Sequence, residues 1–543
     1  MRLLLALLLV AGAAYGQQRL LVTHAASSYY AAGRPSQVAP RSLVRVSLIA
    51  LGSDGPFVDV DPSQPIELTV ESQAGGEPQP LPILASSFPF PLIAALPEDL
   101  PLGPATVTAR FGGEISIEEP IEVVASEMRL FTLDSTFGPA VAQNVAADGA
   151  FEPNGLTTPA RPGEYVTLWG SGLGHTAQQE VEVLLAGQPV RVEYAGAAPG
   201  AQGLDQINVF LPAEVGLTAG CYVPITIVVG ERQSPFTTLT MAEDLGPCEH
   251  PLGLSAEQMA QLDAGGVVPV GSVAVYHTIG PVPEPARFGE ILQREQALAS
   301  FYEMDASGVA QRSRSLEERP PDACRVETLG GIGGIISITG YLNAGPNLTL
   351  SGPDERTLSL ETHELASNFY EASLEPSPST TDPEELPPPF FAGGLWDLAL
   401  PGGEDIAPFS LAIPLSPPLE LLNPGNLLTV DRTADLRVAW APAGFASDQT
   451  VELALTALSP GSEIFATLTC RAPALAGELV VPANLLSELS AEGALDLPHP
   501  LLSLRVSRLA PDQRLFGFEL TDGEPARGMI EAVSAIALPV TLR

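Results

Sequence analysis

Six histidines, four cysteines, three tryptophans and 64 acidic side chains are the raw material from which any reactive or binding site in this 543-residue chain must be built. A serine hydrolase needs a nucleophile on a sharp turn with a base in reach. No Gly-x-Ser-x-Gly occurs. The histidines, His24, His175, His250, His277, His363 and His499, are scattered without a His-x-x-x-His pair or other zinc-hydrolase spacing. All 25 basic residues are arginine. Without lysine there is no Schiff-base or Ser-Lys catalysis and no Lys-Asn isopeptide staple. A glycoside hydrolase is the hardest enzyme to exclude, because two carboxylates suffice and carry no signature. At this acidity any one pair is uninformative.

Asp54, Asp59 and Asp61, in the turn-rich stretch 52–62, are weak candidates for a Ca²⁺ site, as are Asp382, Glu384 and Glu385. Neither group has the spaced oxygens and fixed glycine of a calcium loop, so solvated acidic surface with weak Ca²⁺ binding is expected, and no other cofactor. The glycine-rich blocks Trp169 to Gly174 and Gly330 to Gly334 superficially resemble phosphate loops. Each is followed by a predicted strand and not by a helix whose amides would hold phosphate, so both are read as backbone turns. Trp169 and Trp440 are assigned to sandwich cores. Trp396, in the loop-rich segment Phe390 to Leu398, is the candidate platform for stacking on a sugar ring. With 6% aromatic residues, such platforms are scarce.

The elements that must carry these residues are strands. Period-two alternation recurs in Ser42 to Leu48, Ala105 to Arg110, Glu180 to Leu185 and Leu436 to Trp440. The 54 prolines and 51 glycines punctuate short strands and disfavour long helices. Only Leu254 to Leu262, with a cap at Ser255, and Asn484 to Leu489 read as short helices. The fold class is all-β, with tandem immunoglobulin-like sandwiches, long loops and very little helix. Met1-Arg2, an apolar run to Val10 and small residues at Ala14 and Gly16 read as a signal peptide (1–16). That predicts a secreted, extracellular or periplasmic protein. No cysteine near the cut offers a lipid anchor, and no second apolar run approaches membrane-spanning length. The net charge of −39 disfavours nucleic acid and anionic membranes as partners, leaving protein or extracellular glycan.

In an oxidising compartment Cys221, Cys248, Cys324 and Cys470 are expected as disulfides, most economically 221–248 and 324–470, although three connectivities are open. Pairing is favoured over a zinc site from Cys248 and His250. Self-comparison reveals a repeat. Leu96-Pro97 with the strand from Ala105 parallels Leu211-Pro212 with the strand from Tyr222. Upstream, Pro40-Arg41-Ser42-Leu43-Val44 parallels Pro162-Gly163-Glu164-Tyr165-Val166. The offset is about the size of one immunoglobulin sandwich.

The blocks Asn144-Val145-Ala146, Pro162 through Trp169-Gly170-Ser171-Gly172-Leu173-Gly174, and Gln206-Ile207-Asn208-Val209-Phe210-Leu211-Pro212 resemble the immunoglobulin/TIG-like (IPT) domain of the uncharacterised Solibacter-type C-terminal family of secreted acidobacterial proteins. The resemblance implies a β-sandwich and export. It brings no catalytic residue, and this chain continues for nearly 300 residues beyond that module. The domain plan is then 17–127 and 128–249, two immunoglobulin-like units; 250–285, a linker with a short helix; 286–415, a β-rich middle domain; and 416–543, a C-terminal sandwich. The Pro/Ser/Thr/Glu-rich Glu375 to Pro389 is expected as an exposed loop. These readings point to a non-catalytic secreted scaffold, adhesin-like or interaction module. The alternative is a carbohydrate-binding or accessory protein of polysaccharide utilisation, or, less favoured, a glycoside hydrolase within 286–415.

Overall fold

A computed structural model describes residues 18–26, 35–50, 65–86, 91–112, 115–133, 138–146, 148–212, 219–230, 232–235, 237–243, 246–282, 290–314, 324–328, 338–363, 366–382, 385–458, 465–487, 489 and 500–543. The expected signal peptide, Asp54, Asp59, Asp61, Glu384, His499 and Gly330 to Gly334 lie outside them. Among the described residues, no helix is long and apolar enough to cross a membrane.

The first unit is two facing sheets. One runs Gln18–His24, Leu43–Ala50, Leu92–Ala95, Ile83–Ser86; the other runs Ser36–Val38, Ile115–Val123, Gly103–Phe111, Ile66–Ser72, Gln79–Pro80. That strand order is immunoglobulin-like. Alternation puts Val44, Val46, Leu68, Val70, Val107 and Phe111 into one core. In the second unit, Gln188–Ala197 serves both layers. Before a bulge at Val192/Tyr194 it pairs with Val181–Leu185, and along most of its length with Asp205–Phe210. The inward set includes Val166, Leu168, Ile207 and Val209.

The sequence repeat is a structural one. In the first unit Leu96 N–H donates to Ser42 O, and in the second Leu211 N–H donates to Glu164 O. The residues before those acceptors, Arg41 (φ 64°) and Gly163 (φ 90°), both occupy the left-handed region. The two halves of each repeat are therefore one hydrogen-bonded corner.

The expected linker departs most from the sequence reading. The capped helix at Ser255 is present, as Ala256–Asp263 with Gln258 completing the capping box. Val268–Pro281, however, is a fourteen-residue strand, paired antiparallel to Ile291–Met304 and parallel to Pro525–Pro539. These strands sit mid-sheet in an array that runs from Arg325–Thr328 to Phe409–Leu415 and crosses the boundaries placed at 285 and 415. Two cores flank them: Val273, Val275 and Phe301 feed one, while Ile536, Leu538 and Ile291 feed the other. A parallel partner some 250 residues downstream leaves no trace in local periodicity, and so the linker reading fails. The helix Ala306–Arg314 was also missed. The described part of Glu375 to Pro389 has little regular structure, but it is tied down. Ser377 N–H and Thr380 N–H donate to Gln293 O and Ile291 O.

Candidate functional site

Both expected disulfides form, Cys221–Cys248 and Cys324–Cys470. The first removes the Cys248–His250 zinc pair. His250 instead sits buried, with Nε2 2.9 Å from the Tyr222 hydroxyl and Nδ1 accepting Leu252 N–H at 3.1 Å. Loss of solvent holds its imidazole down at about 4. Among the described residues no three His, Cys, Asp or Glu side chains gather as a metal site. The Glu385 carboxylate accepts the Thr380 hydroxyl at 2.6 Å and so braces the loop.

The tryptophan assignments reverse in part. Trp396, the expected platform, is 0% exposed. It lies in Gly394–Leu400, where Leu398 and Leu400 share its inward face, and its indole N–H donates to Ala392 O at 3.2 Å. Phe390 and Phe391 pack at 5.7 and 5.3 Å, and a Cβ on Gly352 would meet the indole at 2.5 Å. No sugar can stack there. Trp440 is buried as expected, donating to Ala474 O at 2.7 Å. Trp169 is partly exposed, because Val166 and Leu168 claim the inward positions of its strand.

The glycine block after Trp169 forms a seat for the first unit. Gly172 (φ 102°) and Gly174 (φ 60°) run so close to the inter-unit strap that an added Cβ would lie 2.0 Å from Glu127 O and 2.2 Å from Ala125 O. Ser171 Oγ, just before them, accepts Leu43 N–H and donates to Gly203 O, both at 2.8 Å. The Arg41 guanidinium reaches Gly174 O at 3.0 Å and Asp205 Oδ1 at 2.7 Å. Asp205 is nearly fully buried, and burial pushes its carboxyl up while Leu173 N–H and Arg41 pull it back. His24, buried against Gly172, is held down at about 3 by desolvation and by the Arg129 charge. The second junction is also bonded, at a more exposed position. Asp263 at the helix end accepts Leu156 N–H, Thr157 N–H and the Thr157 hydroxyl at 2.9, 2.8 and 2.6 Å. Around it Leu156 and Tyr222 share a small core with Leu252, Met259, Tyr302 and Met529.

One constellation has the residue types of a hydrolase. In the long-strand sheet, Ser534, His277 and Glu295 stand directly opposite one another on adjacent strands. Ser534 Oγ is 3.1 Å from His277 Nδ1. Each group, however, is occupied and buried. Ser534 Oγ accepts Leu419 N–H at 2.9 Å, and the Glu295 oxygens accept Phe390 and Phe391 N–H at 2.7 and 2.8 Å. Burial lowers the His277 imidazole, which favours its neutral form. Arg508, 0% exposed, donates through Nε to Ser416 O at 2.7 Å, and desolvation drops its guanidinium to about 10 against the opposing pull of Glu295. An open groove of about 830 Å³ lies nearby, lined by Leu395, Ser416, Gly444 and Gln449 among others. None of the Ser534, His277 and Glu295 row lines it. Buried Gln449 is consumed by Ser416, Ala446 and Ser507. This row joins two cores and presents no reacting atom to solvent.

No protein-family profile matches the chain, and no curated protein matches it. Among solved structures, the mixed-linkage glucan utilization locus SGBP-B of Bacteroides ovatus, in complex with a mixed-linkage heptasaccharide, aligns at 11% identity over 88% of this chain and 95% of its own, with a TM-score of 0.14. The ICAM-5 D1–D4 ectodomain fragment aligns at 12% identity over 96% and 100%, with a TM-score of 0.13. Escherichia coli alpha-2-macroglobulin activated by porcine elastase aligns at 12% over 95% and 44%, with a TM-score of 0.14. Scores this low carry no argument. The architecture rests on strand pairing.

Proposed function

We propose that the chain is a non-catalytic extracellular scaffold that holds its β-sandwich units at fixed relative positions, with membership of the Solibacter-type family as the finer reading of its second unit. The observation that supports this best is the first junction, where Gly172 and Gly174 admit the strap without a Cβ and Arg41 bridges to a buried Asp205. Backbone in van der Waals contact, a buried ion pair and shared hydrogen bonds leave few alternative arrangements, in contrast to the weakly packed interfaces of mobile domains. Export suits two disulfides and a surface at −39 that keeps copies apart.

The test is the distance distribution between spin labels placed on the first and second units. The full chain should give one narrow distribution, and Gly172→Ala should broaden it without unfolding either sandwich. A broad distribution in the unaltered chain contradicts the fixed-spacer role. Turnover of a polysaccharide, ester or peptide that is abolished by Ser534→Ala contradicts the non-catalytic one.

A further inference from the structure

The outer face of the second unit carries side chains that neither its core nor its junctions use. Register places Phe151, Val145, Tyr165, Phe210 and Arg191 side by side across neighbouring strands. Opposed residues share a face, so this is one row on the side away from the core. Two positions along, the row reads Pro153, Gln143, Thr167, Asn208, Tyr194; two further, Trp169, Gln206 and Gly196 stand together. Phe151 is 71% exposed and Tyr165 38%, high for aromatic residues on a folded sheet. The Tyr165 and Phe210 rings lie 5.0 Å apart, with the Arg191 guanidinium 4.8 Å from the Phe210 centroid. Tyr194 folds over Gly196, its hydroxyl donating to Ala197 O at 2.6 Å. Thus Tyr165 with Phe210 at one end, and Trp169 with Tyr194 toward the other, bracket amides. Gln206 Nε2 donates to Asn208 Oδ1 at 2.9 Å, which fixes the orientation of both.

We propose that this face is a binding platform for a neutral glycan chain, with aromatic rings stacking on sugar C–H faces and Gln143, Gln206 and Asn208 meeting hydroxyls. Charge selects the ligand. On a protein at −39 these rows hold one formal charge, Arg191, and that is paired with Glu193. An acidic polysaccharide, nucleic acid or second copy is repelled by the rest of the surface, whereas a neutral polymer is not. Area selects against a protein. Rows of five, five and three positions span at most about 20 by 14 Å, on the order of 300 Å², well under the roughly 800 Å² per partner of a stable protein interface. The proposal goes beyond the spacer role and stands apart from it. Turnover of polysaccharide would end the non-catalytic reading and leave the platform in place, whereas a chain that retains nothing ends the platform and leaves the spacer.

The test is affinity electrophoresis of the full chain through gels containing soluble mixed-linkage β-glucan, xyloglucan or galactomannan, with alginate and polygalacturonate as acidic counterparts. At least one neutral polymer should retard the protein and neither acidic one should. Phe151→Ala combined with Tyr165→Ala should weaken retention about tenfold or more, and Gln206→Ala a few-fold, with melting temperature unchanged in the exposed Phe151→Ala variant. No retardation by any neutral polymer, or retardation indifferent to these substitutions, overturns the proposal. So does a dimer in sedimentation velocity that Phe151→Ala dissolves, since a second copy would then own the face.

Discussion

The strands Tyr165–Ser171 and Gly394–Leu400 each carry a tryptophan, and the fold treats the two rings in opposite ways. In the first, Val166 and Leu168 point into the core, so Tyr165 and Trp169 are turned out, with Thr167 on the same outer face but covered by its neighbours. In the second, Trp396 is in phase with Leu398 and Leu400, and Asp397 takes the outer side. Parity within a strand, and not the apparent looseness of the surrounding sequence, decides whether an aromatic ring is mortar or surface. The polar neighbour is the marker. Asp397 beside Trp396 fixes that ring inward, while Thr167, two residues from Trp169, shares its outward face.

Substitutions can break this contrast. The largest expected effect is Trp396→Ala, which empties a fully packed site and should cost about 3–5 kcal/mol in denaturant unfolding. Trp169→Ala should cost about 1 kcal/mol or less. Equal losses would refute the parity assignment.

The same logic of position applies to charge. Glu295→Ala strips the Phe390 and Phe391 amides of their acceptor and leaves buried Arg508 uncompensated, so we expect a loss of about 3–5 kcal/mol. The Arg437–Glu478 pair, at 2.6 Å but 64% and 52% exposed, should be worth less than about 1 kcal/mol in a double-mutant cycle.

Acidification sharpens the junction side of the picture. The His24 and His250 pKa values are depressed to about 3 and about 4 in the folded chain, so below the unfolded value near 6.5 the unfolded state binds more protons. Stability contributed by each neutral imidazole is therefore intact above pH 6.5 and declines as pH falls toward its folded pKa. The slope is about 1.4 kcal/mol per pH unit and per histidine. His24→Asn should reduce the acid slope of the melting profile by one such increment, and an unchanged slope would show that His24 is not buried neutral at the first junction.

Much of the fold is written locally. Alternation marks the strands, Ser255 marks its helix, and the Leu96/Leu211 repeat marks two corners that prove hydrogen-bonded in the same way. The rest is non-local. Nothing near Val268 announces a parallel partner at Pro525–Pro539, and nothing in Trp169 to Gly174 says that the strap at Ala125 to Glu127 will lie on it. The aromatic face was within reach of sequence reasoning, since alternating Tyr165, Thr167 and Trp169 against Val166 and Leu168 suffices. Its alignment with Phe151 and Phe210 needed the register. The row of Ser534, His277 and Glu295 shows the converse, where chemically suggestive residues meet only because strands distant in sequence pair, and meet in a place closed to solvent.

Hydroxyl-radical footprinting of the full chain, read tryptophan by tryptophan with and without the neutral polysaccharide that best retards it, tests the central contrast most directly. Trp169 should be oxidised in the free protein and protected by the polysaccharide, while Trp396 and Trp440 are spared in both states. Oxidation of Trp396 as fast as Trp169, or a Trp169 rate untouched by the bound polymer, would contradict the account.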